Sequence, residues 1–265
     1  MYADQKAIYD AIDIALCSGE PLLIGRNGST ELGQMLGIPQ HPQHLVNAGL
    51  WPTVDGFAEA NAEATKAADV LAAGWYKPLA DKEAAFLRNT NSIKVDLRSL
   101  EPYYAPEHLQ WSRLLAGQKV AVVSPFANTI QQQIKKQIWP NGLLPPSIDI
   151  TTIRTGFPPQ IALNGPCAWA VNSWQEAVDL IVQQVEAAKV RVVLLGCGGL
   201  GMLAAHRLRQ SGHICIVLGG ALQILFGIKG QRWLNEPVSA NFNEHWVFST
   251  ERPGGAFLIE GACYW

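Results

Sequence analysis

From residue 119 onward, short runs that are apolar on both faces alternate with amphipathic stretches. "KVAVVS" (119–124), "SIDITTI" (147–153), "VRVVLLG" (190–196) and "HICIVLG" (213–219) have the composition of strands, while "ANTIQQQIKKQIW" (127–139), "SWQEAVDLIVQQVEAAK" (173–189) and "LGMLAAHRLRQSG" (200–212) have helical spacing. Strands without a polar face need cover on both sides, so this alternation predicts a mostly parallel sheet with helices on each face. In such sheets ligands bind at the carboxyl ends of the strands. The first half is less regular. Residues 4–17 form an amphipathic pattern, "PLLIG" (21–25) a short buried strand and 29–36 a short helix. After a Pro/His-rich loop, the Ala- and Glu-rich stretch 54–74 is expected to be helical. No repeat or linker divides the chain, so one α/β domain over 1–265 is expected, with a helical N-terminal part (1–115) and a ligand-binding α/β part (116–265).

The turn "LLGCGGLGMLAAH" lies between an expected strand and an expected helix. Gly196, Gly198, Gly199 and Gly201 satisfy G-x-G-x-x-G, which lets the backbone turn tightly and bring amides and a helix N-terminus against a phosphate. An NAD site on such a Rossmann-like fold also needs an acid at the end of the following strand for the ribose, and "CIVLGGALQ" offers none before Glu236. S-adenosylmethionine binding lacks its usual acid for the same reason. The plain alternative is that the glycines permit close helix-to-sheet packing.

Composition excludes other classes. A net charge of −2 with no Lys/Arg-rich run argues against a nucleic-acid partner, which requires a concentrated basic surface. No apolar run is long enough to cross a bilayer, and the N-terminal segment carries acids where a signal peptide would be basic and then apolar, so a cytoplasmic chain is expected. Cys17, Cys167, Cys197, Cys215 and Cys263 are scattered without a C-x-x-C pair, as free buried thiols would be.

A second loop, "IGRNGSTEL" (24–32), follows the first expected strand. Arg26 supplies a forked cationic donor, Asn27 and Gly28 a turn, and Ser29 or Thr30 a cap for the next helix. Glu31 sits in that helix's first turn, where a negative charge is favourable in any case. The alternative is a carboxylate at a strand's carboxyl end that holds a metal, a sugar hydroxyl or an acceptor proton. Further cations near expected element ends are Arg154, Lys229 and Arg232, and arginine suits phosphate best because it binds two oxygens at once. The C-terminal region is rich in aromatics (Trp233, Trp246, Tyr264, Trp265), which fill cores and also stack on sugars and bases. Glu244 and His245 are an acid/base pair in sequence, and His41 and His44 have nearly a metal-ligand spacing in what is expected to be a plain loop.

The segments "GRNGSTEL", "VVSPFANTIQQQ", "TIRTGFPP", "VVLLGCGGLGMLAAHRLRQSGHICIVLGGALQILFGIKGQRW" and "NEHW…EGACYW" together resemble a bacterial and viral family of glycosyltransferases with the GT-D fold. The resemblance covers most of the chain from residue 20 and implies a sugar-nucleotide-dependent transferase on a single Rossmann-like domain, with a glycan or other hydroxyl acceptor, as in polysaccharide biosynthesis. Better-studied relatives carry Asp-x-Glu in the first loop; here Ser29 stands at the aspartate and Glu31 is kept. One carboxylate is a poor Mn²⁺ or Mg²⁺ site by itself, because hard cations take several oxygens. On this reading Glu31 is the catalytic candidate and the metal ligand if there is one. Arg26 to Thr30 face the donor, and the glycine turn with Gly219 and Gly220 cradles the nucleotide. Arg154, Lys229, Arg232 and Trp233 complete the donor set. The arrangement requires Glu31 and Gly198 to lie on one edge of the sheet. The alternatives are an NAD- or S-adenosylmethionine-dependent enzyme and a non-catalytic nucleotide-sugar binder.

Overall fold

The computed structural model describes residues 1–39, 41–51, 54–136, 138–139 and 142–265. The chain runs α1 (Tyr2–Ser18), β1 (Leu22–Arg26), α2 (Ser29–Met35), α3 (Pro42–Asn47), α4 (Phe57–Lys66), β2 (Val70–Ala72), α5 (Ala80–Phe86), β3 (Ile93–Val95), β4 (Lys119–Ser124), α6 (Ala127–Ile134), β5 (Asp149–Arg154), α7 (Pro159–Ala162), α8 (Trp174–Ala187), β6 (Val192–Leu195), α9 (Gly201–Gln210) and β7 (Ile214–Val217). A 3-10 helix (Gly219–Phe226) and a tail containing β8 (Ile228–Lys229) and β9 (Val247–Phe248) follow.

β1 to β7 form one all-parallel sheet in the order β3-β2-β1-β7-β6-β4-β5, and β8 pairs with β9 alone. The chain builds outward from β1 through β2 to β3. It then crosses over to β4 and β5 and returns through β6 to β7, beside β1. Leu22, Leu23 and Ile24 of β1 stand opposite Ile214, Cys215 and Ile216 of β7. This junction is where the direction of winding reverses, and a crevice opens there at the carboxyl ends of the strands.

Alternation along each strand divides the core in two. Leu22, Ile24, Val120, Val122, Leu194 and Ile216 face α1, α6, the 3-10 helix and the tail. Leu23, Ala121, Val123, Val193, Leu195 and Val217 face α4, α8 and α9. α1 contributes Ile8 and Ile12, one turn apart and fully buried, worth roughly 1.5–3 kcal/mol each. Gly19 ends α1 in the left-handed region, at φ 87°. On the amino edge of the sheet, Asp69 holds α9 through a two-pronged pair with Arg209 (2.8 and 2.7 Å) and accepts the Leu23 amide at 2.8 Å.

The strands expected from residue 119 onward are all present, each within a few residues of its expected bounds. The helix expected at 127–139 ends at Ile134, and residue 137 lies outside the described residues. The first 115 residues differ more. Residues 70–72, expected within a helix, form β2, and β3 was not expected at all. Three-residue strands are too short to show a period, and Ala-rich sequence reads as helix until the neighbouring strand is known. This part of the chain therefore supplies three of the seven strands. His41 and His44 do not lie in a plain loop, since α3 begins at Pro42 between them, where the missing N–H costs nothing. The five thiols are free, but Cys17 is exposed on the last turn of α1. Among the described residues no helix is long and apolar enough to cross a membrane.

The tail returns to the sheet through Glu251. Its carboxylate accepts the amides of Asn128 (2.8 Å) and Thr129 (3.0 Å) and the Thr129 hydroxyl (2.8 Å), satisfying the start of α6. Replacement by alanine leaves those buried donors without partners. Glu251→Ala is expected to cost about 1–3 kcal/mol in urea unfolding, and a variant as stable as the parent would show that the contact contributes nothing.

Candidate functional site

At the β1–β7 junction the two residues after Gly25 part company. Asn27 turns away from the carboxyl edge into α4, where its side-chain N–H donates to Thr65 Oγ1 (3.0 Å) and its Oδ1 accepts from Asn61 (3.0 Å). It is 2% exposed, does not line the crevice, and fixes the loop from behind. Arg26 points the other way. Its guanidinium stacks over Trp75, 4.9 Å from the ring centroid, and Nε donates to the Asn27 carbonyl at 3.3 Å. Among the described residues Arg26 has no ion-pair partner within 4 Å.

Gly28 caps α2 from an extended conformation, and Glu31 folds back over it. A Cβ at Gly28 would lie 2.2 Å from Glu31 Oε2, so a side chain there would require the Glu31 carboxylate to move. Burial raises the Glu31 pKa above the ordinary carboxylate value; the amides of Glu31 and Gly28 and the charge of Arg26 pull it back, and Glu260 pushes it up. Glu31 thus sits in the first turn of α2 and also lines the crevice.

The crevice is a cavity of ≈ 850 Å³ reached by the loops after all seven strands, among them Arg26, Trp75, Arg98, Ser124, Thr155, Gly196 and Leu218. Glu31 and Gly198 both line it, so they share one edge of the sheet. Gly198 adopts φ +60°, and a side chain there would strike the Ala48 carbonyl at 2.7 Å. Gly199 and Gly201 lie behind the surface. The Gly199 amide donates to the Ala48 carbonyl at 3.0 Å, its Cα packs on Leu50, and Gly201 packs on Val217. A Cβ at Gly196 would come within 2.8 Å of the Gly219 carbonyl. The glycines of this turn thus permit close packing, and of the four only Gly196 and Gly198 face the cavity. Cys197 lies between them, but burial pushes its thiol up to about 12, so it is not a thiolate nucleophile.

Gly28, Ser29, Thr30, Gly219, Gly220, Arg232 and Trp233 also line the cavity. Arg232 is tied to the Tyr264 hydroxyl (2.8 Å) and to Glu260 (2.7 Å), while Trp233 is almost wholly packed among Ile138, Ile224, Val238 and Trp246. Two expected cations lie elsewhere. Arg154 ends the edge strand β5 with its guanidinium on the Pro166 carbonyl, and Lys229 in β8 sits over Phe248 at 5.1 Å; neither lines the cavity. Both were expected at element ends, but Arg154 lies on the outermost strand of the sheet and Lys229 in the separate β8–β9 pair. Glu244 and His245 are 3.7 Å apart, exposed and outside the cavity.

Sequence reasoning missed the wall beyond β2 and β3. Trp75, Arg98 and Glu101 line it, joined by Glu236, Glu260 and Tyr264 from the tail. Arg98 donates to Glu236 (2.8 Å) and the Tyr104 hydroxyl (2.8 Å) and lies 3.7 Å from Glu101. No motif marks these residues, since their loops follow the two unexpected short strands. Among the described residues no three His, Cys, Asp or Glu side chains converge as a protein-held metal site needs. Glu31 directs its carboxylate at backbone amides, so these side chains alone do not fit a Mn²⁺ or Mg²⁺ cage.

The architecture is a parallel α/β sheet covered by helices with a large cavity at the reversal of winding, and its likeness to known proteins agrees. No family model matches the sequence, and no curated protein does. Among solved structures, the chain is similar to the highly conserved domain of unknown function 1792, which has a distinct glycosyltransferase fold, with a TM-score of 0.54, 14% identity, and 94% of this chain and 96% of that chain covered. A selenomethionine-substituted form of that domain gives 0.53 at 14% identity over the same shares. A new glycosyltransferase of this kind from Streptococcus sanguinis gives 0.51 at 14% identity, covering 91% and 92%. The chain therefore has the glycosyltransferase fold anticipated from its sequence.

The raised pKa of Glu31 has a consequence for stability. A carboxyl group whose pKa is higher folded than unfolded stabilises the fold below the unfolded value, about 4.3 for glutamate, and loses that contribution as pH rises through the folded value. Glu31→Gln should then raise the melting temperature relative to the parent at pH 8, with the gain shrinking toward pH 4. A pH-independent difference would contradict the burial argument.

Proposed function

We propose that the chain is a glycosyltransferase that binds a nucleotide sugar across the β1–β7 crevice and transfers the sugar to a hydroxyl acceptor. The observation that carries this reading is the unpaired guanidinium of Arg26 at the end of β1, stacked on Trp75 and facing the same cavity as Glu31 and Gly198. The other two arginines of the cavity, Arg98 and Arg232, are held by carboxylates, so Arg26 is the site of highest affinity for a diphosphate. Gly196, Gly198, Gly219 and Gly220 let a ligand approach the backbone beside it, and Glu31 is placed to orient a donor-sugar hydroxyl. The glycosyltransferase fold of the similar structures supports the same reaction class. Arg154 and Lys229 have no part in this site.

Arg26 would neutralise charge on the leaving diphosphate as the bond to the anomeric carbon breaks, an interaction stronger in the transition state than before it. The cavity volume of ≈ 850 Å³ lies within the range of small-molecule sites and admits donor and acceptor together.

The test is a melting-temperature screen against UDP-, GDP-, CMP- and dTDP-sugars, NAD and S-adenosylmethionine, with and without Mn²⁺. Stabilisation by a nucleotide sugar is expected. Arg26→Ala should then weaken its binding roughly 10- to 150-fold, as loss of hydrogen bonds to a charged group implies, and Arg26→Lys should recover only part because lysine cannot bind two oxygens in a fork. Stabilisation by NAD or S-adenosylmethionine alone would overturn the reading.

A further inference from the structure

Four carboxylates line the cavity, and they are not equivalent. Glu236 and Glu260 are ion-paired with Arg98 and Arg232 and stand partly exposed. Glu31 is turned onto the amides of Gly28 and its own residue. Glu101, just past the 3-10 turn that follows β3, is only 8% exposed. Its Oε2 accepts the Tyr103 hydroxyl and faces Arg98 Nη1 at 3.7 Å. Among the described residues its Oε1 has no hydrogen-bond partner and is not sealed from solvent, and Glu101 lines the cavity. A buried carboxylate fixed by one oxygen and open at the other is built to meet a donor group that the protein does not supply.

We propose that Glu101 is the base of the transfer, its Oε1 taking the proton of the attacking hydroxyl. The inference rests on the transferase reading above. The acceptor oxygen forms its bond to the anomeric carbon as the bond from that carbon to the diphosphate oxygen breaks. The bonding pair leaves on the diphosphate beside Arg26, and the acceptor proton ends on Glu101. A single displacement of this kind inverts the anomeric centre.

Groups around Glu101 suit the task. Burial raises its pKa above the ordinary carboxylate value, toward that of a useful base. The Tyr103 hydroxyl and the charges of Arg98 and Arg26 keep it from rising further, and Glu236 opposes them. Tyr104, packed edge-on against Tyr103 and bonded to Arg98, completes the surroundings. Tyr103 is itself stacked flat on Trp139, with ring centroids 5.9 Å apart, so its hydroxyl is held in place by its ring.

The experiment uses the purified full chain and follows release of nucleoside diphosphate from UDP-, GDP- and dTDP-sugars with water as the acceptor, beside calorimetric binding of the same compounds. Glu101→Gln is expected to lower release about 100-fold or more, as loss of a general base does, while nucleotide-sugar binding persists. Glu101→Asp should recover part of the rate. Tyr103→Phe keeps the ring and removes the bond that holds the Glu101 pKa down. It should move the acid limb of the pH–rate profile to higher pH, which a structural role for Glu101 would not do. Release at the parent rate by Glu101→Gln, or an acid limb unmoved in Tyr103→Phe, overturns the assignment and leaves the transferase reading standing. If the parent neither binds nor cleaves any of these compounds, both fall together.

Discussion

The pairing of β1 with β7 is the contact on which the rest of the molecule depends. Two strands from distant parts of the sequence meet in parallel at the centre of the sheet, with Leu23 and Cys215 both fully buried at the join. Parallel pairing requires cover on both faces, so α1 and the 3-10 helix close one side and α4 and α9 the other. Because every strand runs the same way, all the loops that follow strands emerge along one edge. The reversal of winding at this pair keeps two of them apart, and the cavity is the gap that results.

Charge in that gap is arranged by pairing. Arg98 is matched with Glu236 and Glu101, and Arg232 with Glu260, whereas among the described residues Arg26 is matched by an indole face and a carbonyl and by no carboxylate within 4 Å. An aromatic ring attracts a cation without cancelling its charge, so Arg26 keeps its capacity for an anionic ligand. The carboxylates follow the same logic: each is anchored by an arginine, a tyrosine or a backbone amide, which restrains the acid while leaving part of it directed at the cavity. Anchored polar groups of this kind lose little freedom when a ligand arrives.

Much of the second half of the fold was legible in the sequence because its strands are four to six residues long and three of them, β4, β6 and β7, are buried along nearly their whole length. β2 and β3 were not, since three residues show no period and the sheet, not local propensity, makes them strands. The cavity lining divides along the same line. Arg26, Gly28 and Glu31 follow a recognisable strand and were expected there, while Arg98, Glu101 and Trp75 follow the hidden strands and were not. The glycine motif teaches a further distinction. G-x-G-x-x-G describes where backbone must come close, but it does not say to what: at Gly199 the neighbour is the Ala48 carbonyl of the same chain. The placement of Arg154 on an edge strand and of Lys229 in a separate strand pair is likewise a property of the whole fold that position in the sequence does not encode.

The β1–β7 register also bears on how the molecule comes to be folded. Leu22 and Ile214 lie near opposite ends of the sequence, and closing so long a loop is entropically unfavourable until the intervening helices and strands are already compact. The central pair is then expected to form late, and the cavity with it. Early compact forms of this chain would carry much of its secondary structure and no binding site. Closure of the cavity during refolding should lag behind recovery of helix, and the unzipped edges of β1 and β7 are surfaces through which a stalled chain would stick to its neighbours.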